Sequence, residues 1–146
     1  EHGVNVPWAF NRKEVKDHGE GGLLVGAPVS GQRVWIVDDV ITAGTAIREV
    51  MNVLNQAGAK VAGVLVALDR QERGQGPLSA IQEIEAQYGI PVQALMTMTD
   101  LMNYLKKENR TEDLARMQSY RAEFGIVDPA HGGDPLQRGL FDEVKV

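Results

Sequence analysis

Two adjacent carboxylates and the turn after them form the most informative stretch of the sequence. Asp38 and Asp39 follow a short apolar run, and residues 43–45 are the small residues Ala-Gly-Thr in front of a helical pattern. Small side chains let backbone N–H groups approach a ligand closely, and a helix that begins there adds unpaired N–H groups and the positive end of its dipole. Such a turn binds phosphate, while carboxylates accept hydrogen bonds from vicinal hydroxyls and stabilise positive charge on a sugar. The stretch therefore predicts a site for a sugar phosphate.

This stretch differs from the two commonest phosphate-binding loops. A Walker A loop requires G-x-x-x-x-G-K-[ST], which the stretch does not contain. Gly19 and Gly21 are followed by Leu24 where G-x-G-x-x-G needs a third glycine. An Asp-Asp pair alone often ends a strand for structural reasons, so the functional prediction depends on the whole string of residues 37–46.

A cluster of basic side chains lies near the N-terminus of an otherwise acidic protein. Arg12, Lys13, Lys16 and His18 fall within a short segment, and the glycines at positions 19, 21 and 22 make that segment flexible. Charge runs of this kind are most often solvated surface. The functional interpretation is a lid that closes over a polyanion, because Lys and Arg neutralise negative charge that develops on a leaving group.

Arg70 is a second candidate binding residue, because it follows the apolar run of residues 61–68. If that run is the strand next to residues 34–37, Arg70 lies beside the acidic pair at one edge of a sheet. A guanidinium group matches the shape of a planar carboxylate. A surface salt bridge to Asp69 or Glu72 is the structural alternative.

These residues require a sheet whose strands end at one edge. Apolar runs at residues 34–37, 61–68 and 92–98 have the length of strands covered on both faces, and helical patterns separate them. Strand–helix–strand units of this kind give parallel pairs with right-handed crossovers. The sequence therefore predicts the α/β class, with a parallel sheet and flanking helices.

The helices are predicted from apolar residues spaced three and four positions apart. Their stripes are Ile47, Val50, Met51 and Leu54; Ile81, Ile84 and Tyr88; Leu101, Tyr104 and Leu105; and Leu114, Met117, Tyr120 and Phe124. Predicted starts and stops follow from capping preferences. The starts are Thr45, Pro77, Thr99-Asp100 and Thr111, and the stops are Gly58 and Gly89.

The two ends of the chain have different patterns. Residues 8–10 and 23–25 predict the strands of a β-hairpin, with a flexible loop over residues 11–22 between them. Residues 127–146 contain several Pro and Gly and predict an irregular tail. Both Trp8 and Trp35 are expected in the core.

Composition excludes several classes of protein. The chain has 146 residues, 43% hydrophobic and 24% charged, which are values of an ordinary globular domain. It contains no cysteine, so disulfides, thiolate metal sites and cysteine nucleophiles are excluded. A net charge of −5 with few aromatic residues argues against nucleic-acid binding. Without a membrane span or a signal core, the expected location is the cytoplasm.

Three segments, taken together, resemble one family. The string of residues 37–46 resembles the phosphoribosyl pyrophosphate (PRPP) signature of type I phosphoribosyltransferases. Residues 10–22 resemble the mobile catalytic loop of the orotate phosphoribosyltransferase family, and residues 68–74 resemble the segment after that family's next strand. The resemblance runs from about Pro7 to Ile126 and implies transfer of ribosyl 5-phosphate from PRPP to orotate in pyrimidine (UMP) biosynthesis.

The resemblance also implies roles for individual residues. Those that bind PRPP would be Arg12, Lys13, Lys16, His18, Asp38, Asp39, Val40, Ile41, Thr42, Ala43, Gly44, Thr45 and Ala46. Four of them, Lys16, His18, Asp38 and Asp39, would act in catalysis, and Thr42 and Arg70 would bind orotate. Mg²⁺ would bind through PRPP oxygens and water, with no direct protein ligand. The family's loop acts across a dimer interface, which implies a homodimer.

The chain departs from the family pattern at its N-terminus. The strands and helices that the family has before the position of Pro7 are absent, so residues 1–126 are expected to form a partial phosphoribosyltransferase domain. Weak or no turnover is expected from this chain alone. Two alternatives remain open: a phosphoribosyltransferase for another base, and a non-catalytic regulatory module that binds PRPP. A receiver-type signalling domain also has an acidic pair after a strand, but it gives no reason for the basic loop.

Overall fold

Strands and helices alternate along the chain, as the apolar runs predict. The computed structural model describes residues 3, 5–12, 23–74 and 76–126. The elements in chain order are β1 (Ala9–Asn11), β2 (Leu24–Gly26), β3 (Arg33–Val40), α1 (Thr45–Gln56), β4 (Lys60–Asp69), α2 (Ala80–Tyr88), β5 (Val92–Thr97), α3 (Met98–Lys107) and α4 (Thr111–Phe124). None of the helices in these ranges is long and apolar enough to cross a bilayer.

Three parallel strands form the main sheet, in the order β3-β4-β5. Val40 pairs with Leu68, and Asp69 pairs with Thr97, so the carboxyl ends of the three strands lie along one edge. Ligands of open α/β sheets bind outside this edge. The predicted α/β class and parallel sheet are confirmed.

One face of this sheet carries the core. Ile36, Val64, Val66 and Val92 point from the strands toward α1 and α2 and are buried. The helices contribute the buried residues Ile47, Met51, Leu54, Ile81 and Ile84. Because side chains alternate along a strand, this packing fixes which residues of β3 face the helices. It therefore determines the direction of each carboxylate at the strand end.

The opposite face of the sheet is open among the described residues. Trp35 is 45% exposed, Val37 73% and Leu95 67%, so the expectation that Trp35 lies in the core is wrong. Its ring lies across β4 at Gly63, where a Cβ atom would come within 2.6 Å of the Trp35 ring. Trp8 is 71% exposed and stacks on Phe10, so the same expectation fails there.

Two helices begin with a capping box that differs from the predicted start. Helix α2 starts at Ala80, because the Ser79 side chain accepts from the Gln82 N–H and the Gln82 side chain accepts from the Ser79 N–H. Helix α3 starts at Met98, with the same arrangement between Thr97 and Asp100. Each box satisfies two backbone donors of the first turn. The predicted starts at Pro77 and Thr99 are therefore wrong by two or three residues.

The other two helices begin without a side-chain cap. Gly44 and Arg110 occupy the N-cap positions, so Thr45 and Thr111 are the first helical residues and do not act as caps. The predicted stops of α1 and α2 are confirmed, since Gly58 and Gly89 adopt φ angles of 75° and 65°. Glycine adopts this left-handed conformation without steric strain.

The N-terminal strands form the predicted hairpin. Ala9 pairs with Gly26 and Asn11 with Leu24 in antiparallel register. Asn11 belongs to β1, and the Arg12 N–H donates to the Leu23 carbonyl at 2.7 Å, so the pairing extends two residues into the segment predicted as loop. Residues 13–22 and 127–146 lie outside the described residues, and the predictions of a flexible loop and an irregular tail stay predictions.

Candidate functional site

Asp38 and Asp39 lie among the last three residues of strand β3, where they close the apolar run as predicted. Asp38 shares the helix-covered face with Ile36 and is half-buried, while Asp39 points to the open face and is exposed. Each carboxylate accepts a hydrogen bond from the next backbone N–H, at 2.9 Å for Asp38 and 2.6 Å for Asp39. A ligand that contacts both carboxylates must therefore lie across the end of the strand.

The turn after β3 leads directly into helix α1. Gly44 is buried, has a φ angle of 71° and occupies the N-cap position without a side-chain hydrogen bond to the first turn. The N–H groups of that turn are therefore not occupied by a cap, and the helix of 12 residues carries no acidic side chain in its first turn. Both features favour binding of an anion at this end of α1.

A narrow cleft joins this turn to the end of the neighbouring strand. Its lining comes from the β3–α1 turn, the segment after β4 and the start of α2. The lining residues are Ile41, Thr42, Asp69, Arg70, Gln71, Glu72, Ser79, Ala80 and Ile81. The structure thus brings together Thr42 and Arg70, the two residues for which an orotate-binding role is predicted.

Arg70 is held by two partners in the described part of the chain. Its Nη2 donates to the Tyr120 hydroxyl at 2.5 Å and lies 2.6 Å from the Glu72 carboxylate. Tyr120 in turn donates to Glu72 at 2.5 Å, and the Arg70 guanidinium lies 5.8 Å from the centre of the Tyr120 ring. The predicted ion pair with Glu72 is present, and Tyr120 from α4 is a partner that sequence reasoning missed.

The hydroxyl of Tyr120 has a shifted acidity because of these contacts. Its hydrogen bond to Glu72 is the largest cause that raises the pKa of Tyr120 above the ordinary value of 10.0, and desolvation adds to the rise. The hydrogen bond from Arg70 acts in the opposite direction. Tyr120 therefore remains protonated at neutral pH and can donate to Glu72 while it accepts from Arg70.

Gln71 connects the segment after β4 to three other parts of the fold. Its side chain is 2% exposed, and its Oε1 accepts from the Thr99 hydroxyl at 2.6 Å and from the Thr99 N–H at 3.1 Å. Its own N–H donates to Asp69, and its carbonyl accepts from the Ile126 N–H. With a φ angle of 53°, Gln71 is held in a conformation that costs a non-glycine residue about 1–2 kcal/mol. Such strain is common beside functional sites.

The end of α4 is fastened to the same segment. The Arg73 N–H donates to the Phe124 carbonyl at 2.9 Å, and the Arg73 guanidinium donates to the Glu123 carbonyl. Glu72 also forms an isolated antiparallel bridge with Gly125. Backbone and side-chain bonds from α4 therefore fix the position of Arg70.

The remaining predicted residues are partly outside the described ranges. Lys13, Lys16 and His18 lie there, while Arg12 is half-buried at the end of the hairpin. In residues 3, 5–12, 23–74 and 76–126, no group of three or more His, Asp or Glu side chains could hold a metal ion by itself. The described site is thus composed of the strand end, the β3–α1 turn and the Arg70 segment.

Comparison with known proteins agrees with this architecture. The profile of the phosphoribosyl transferase domain matches residues 5–109. The orotate phosphoribosyltransferase of Acinetobacter baylyi is 67% identical over 125 residues, which are 86% of this chain and 58% of that protein. The chain thus spans less than two-thirds of this relative's length.

Solved structures give the same result at lower identity. The orotate phosphoribosyltransferase of Francisella tularensis superposes with a TM-score of 0.71 at 35% identity, over 84% of this chain and 57% of that one. The Mycobacterium tuberculosis orotate phosphoribosyltransferase, solved with PRPP, has a TM-score of 0.54 at 28% identity, over 68% of this chain and 52% of that one. The profile match and the shared fold establish that this chain belongs to the phosphoribosyltransferase family.

Proposed function

We propose that this phosphoribosyltransferase transfers the ribosyl 5-phosphate group of PRPP to orotate. The products are orotidine 5′-monophosphate and pyrophosphate, a step in the biosynthesis of UMP. The observation that carries the proposal is the cleft in which Thr42 of the PRPP signature lies beside Arg70. The high identity to a protein named orotate phosphoribosyltransferase supports the choice of orotate as the acceptor.

The turn after β3 binds the 5′-phosphate of PRPP in this proposal. Residues 42–46 contribute backbone N–H groups, and the start of α1 contributes the positive end of its dipole. The uncapped first turn of α1 supports this role, because no side chain of the described residues competes there with an incoming phosphate. Val40 and Ile41 lead the chain from the strand into this turn.

The carboxylates of Asp38 and Asp39 act on the ribose. Their oxygens accept hydrogen bonds from the two ribose hydroxyls, and their charge favours the positive ribose ring that forms as the bond to pyrophosphate breaks. The bond from the anomeric carbon to the pyrimidine nitrogen then forms, and that nitrogen gives its proton to the departing pyrophosphate. Since the two side chains leave β3 on opposite faces, the ribose lies across the strand end.

Arg70 and Thr42 orient orotate in the cleft. The Arg70 guanidinium pairs with the orotate carboxylate, a geometry for which its planar donors are suited. Glu72 and Tyr120 support this role, because they hold the guanidinium at the cleft. Thr42 lies in both the PRPP turn and the cleft, so it can contact either substrate.

The basic residues of the N-terminal segment stabilise pyrophosphate as it leaves. We assign this role to Arg12, Lys13, Lys16 and His18, with Lys16 and His18 acting in the site of the partner subunit of a homodimer. Positive charge at the leaving group lowers the barrier for its departure. We also propose a cytoplasmic location, where PRPP, a polyanion that does not cross a bilayer, would be made and used in the same compartment.

Mg²⁺ fits the oxygen donors at this site. Mg²⁺ usually keeps several waters and binds substrate phosphates, so Asp38 and Asp39 would reach it only through water while they bind the ribose hydroxyls. In our proposal the ion enters with PRPP, bound to its oxygens and to water. When bound, it neutralises part of the pyrophosphate charge.

The test of this function separates binding from chemistry. Titration of PRPP with Mg²⁺ into the 146-residue chain should give saturable heat, and its absence would contradict the proposal. A chimeric enzyme, in which this chain is joined to the part of the Acinetobacter baylyi relative that it does not match, should release pyrophosphate with orotate. Binding of PRPP without release would support a regulatory module, and release with uracil or a purine would support another base.

The same chimeric enzyme tests the carboxylates. The double variant Asp38→Asn, Asp39→Asn should lose roughly 100-fold or more of its turnover, the usual size of a lost electrostatic contribution. Glu112→Gln is a control, because it also replaces a carboxylate by an amide, at an exposed position on α4. Near-normal turnover of the double variant would exclude this role.

A further inference from the structure

Arg48 contacts the proposed phosphate turn, residues 42–46, on the side that faces α2. Its Nη1 donates to the Ala43 carbonyl at 2.6 Å, within the turn that precedes α1. Its Nε donates to Gln87 at 3.1 Å, and its Nη2 lies 3.3 Å from the Glu83 carboxylate. Arg48 therefore connects the turn to two side chains of α2.

The position of this arginine is unfavourable for α1 itself. Arg48 is the fourth residue of the helix, where the positive end of the dipole disfavours a cation. Glu83 and Gln87 compensate, because a carboxylate and an amide oxygen accept two of its hydrogen bonds. The third bond goes to Ala43, so the guanidinium fixes a backbone carbonyl of the turn.

Fixing that carbonyl also fixes the next N–H group. In a trans peptide the carbonyl and the N–H point in opposite directions, and no cis peptide occurs among the described residues. Because the Ala43 carbonyl points at Arg48, the Gly44 N–H points away from Arg48. It therefore faces the side of the turn opposite Arg48.

Gly44 is enclosed on the arginine side. A Cβ atom at this position would lie 3.0 Å from Nη1 of Arg48 and 3.1 Å from Cδ1 of Ile84. The guanidinium and the Ile84 side chain thus fill the space behind the turn. With that space filled and the carbonyl held, the turn has little freedom to rotate its Ala43–Gly44 peptide.

We propose that Arg48 is a positioning residue for phosphate binding, which orients the Ala43–Gly44 peptide so that its N–H faces the 5′-phosphate. This inference rests on the proposed function of the turn. It assigns to α2, through Glu83 and Gln87, the role of bracing the site. Preorganised N–H donors bind an anion more tightly than donors that must first reorient.

The test compares two phosphate ligands on the 146-residue chain. Ribose 5-phosphate probes the turn, and pyrophosphate with Mg²⁺ serves as a second ligand that does not depend on the 5′-phosphate contacts. Arg48→Gln should lower the affinity for ribose 5-phosphate roughly tenfold, which is the effect of one lost charge-assisted hydrogen bond. The affinity for pyrophosphate should not change. The affinity of Arg48→Lys, which keeps the positive charge on a single donor group, should fall between those of the wild type and Arg48→Gln.

Arg116→Gln is the matched control. The Arg116 side chain is 79% exposed on α4 and lies 3.9 Å from Asp113. The affinity of this variant for both ligands should equal that of the wild type. Equal affinity of Arg48→Gln and the wild type for ribose 5-phosphate would overturn the inference. A parallel loss of both ligands would also overturn it, since that pattern indicates a general loss of structure. If the wild-type chain binds no ribose 5-phosphate, the proposed function fails as well.

A measurement without ligand tests the geometry directly. Loss of the hydrogen bond to Ala43 should move the carbonyl ¹³C resonance of that residue upfield in Arg48→Gln, while resonances of the last turn of α1 stay in place. An unchanged Ala43 resonance in a folded variant would overturn the inference, whatever the binding data.

Discussion

The hydroxyl of Tyr120 lies 2.5 Å from Nη2 of Arg70, although 50 residues separate the two in the sequence. Helix α4 thus contributes to the site from a part of the chain beyond the segment that matches the family profile. Because Tyr120 also donates to Glu72, the three side chains hold one another in place. The orientation of Arg70 therefore depends on α4.

Removal of the Tyr120 hydroxyl should weaken orotate binding selectively. In the chimeric enzyme, Tyr120→Phe should raise KM for orotate roughly tenfold and leave KM for PRPP unchanged, since it removes one of the two partners that hold Arg70 but leaves the residues of the β3–α1 turn intact. Steady-state kinetics with each substrate varied in turn measure the two constants. Tyr104→Phe, a change at a side chain that is 55% exposed on α3, should have no effect. A larger change in the PRPP constant would contradict the role of Tyr120.

The ionisation of Tyr120 should depend on Glu72. The difference in phenolate absorbance between wild type and Tyr120→Phe isolates this residue, and its pKa should lie above 10.0. Glu72→Gln should lower that pKa, because the carboxylate acceptor is its main cause. Because the pKa of Tyr120 is raised in the folded state, the interaction of its hydroxyl with Glu72 stabilises the fold fully below pH 10.0. This stabilisation is lost as the pH rises through the pKa of Tyr120 in the folded protein. The stability difference between wild type and Tyr120→Phe should accordingly shrink at high pH; a constant difference would be evidence against the bond.

Gln71 offers a test of backbone strain. Gln71→Ala removes the acceptor of the two Thr99 donors and should lower the free energy of unfolding by about 2 kcal/mol or more. Gln71→Gly removes the same acceptor but relieves the positive φ angle, so it should be less destabilising than Ala by about 1 kcal/mol. Urea denaturation of the two variants measures the difference. Equal stability would mean that the conformation carries no strain.

Gly44 and Gly31 form a matched pair for the packing behind the phosphate turn. Both have φ angles near 70°, but a Cβ atom at Gly31 meets nothing within 4 Å, whereas one at Gly44 meets Arg48 and Ile84. Gly31→Ala should therefore cost only the strain of its φ angle, about 1–2 kcal/mol. Gly44→Ala should cost about 1–3 kcal/mol more, because the core must also shift. Equal losses in urea denaturation would contradict close packing of Arg48 against the turn.

The sequence was sufficient for the elements whose signal is local. Strands β3, β4 and β5 are continuous apolar runs, and the stripes of α1 to α4 have clear helical spacing, so their order follows from periodicity. The starts of α2 and α3 were also readable, because Ser79 and Gln82 stand three residues apart, as do Thr97 and Asp100. The predicted starts at Pro77 and Thr99 are wrong because proline and threonine are also common at helix starts.

The site could be predicted only in part, for a physical reason. The proposed phosphate turn is contiguous in the sequence, so its residue types are sufficient to predict it. Tyr120 and Gln71 act through partners 28 to 50 residues away, and no pattern within one element reveals such contacts. Arg48 did leave a signal, since a cation in the first turns of a helix is unfavourable without partners. The apolar run around Trp35 predicts a strand covered on both faces, whereas α1 and α2 cover only the face of Ile36 in the described structure.

Trp35 lies across Gly63 on the open face of the sheet, so its fluorescence depends on whether this surface is in contact with water. An indole that is 45% exposed emits at longer wavelength than a buried one, and the emission moves to shorter wavelength when another layer excludes water. Replacement of Trp8 by Phe leaves Trp35 as the single tryptophan of the chain. Its fluorescence would then report when another layer of protein covers this face of the sheet, and how completely that layer excludes water from Trp35.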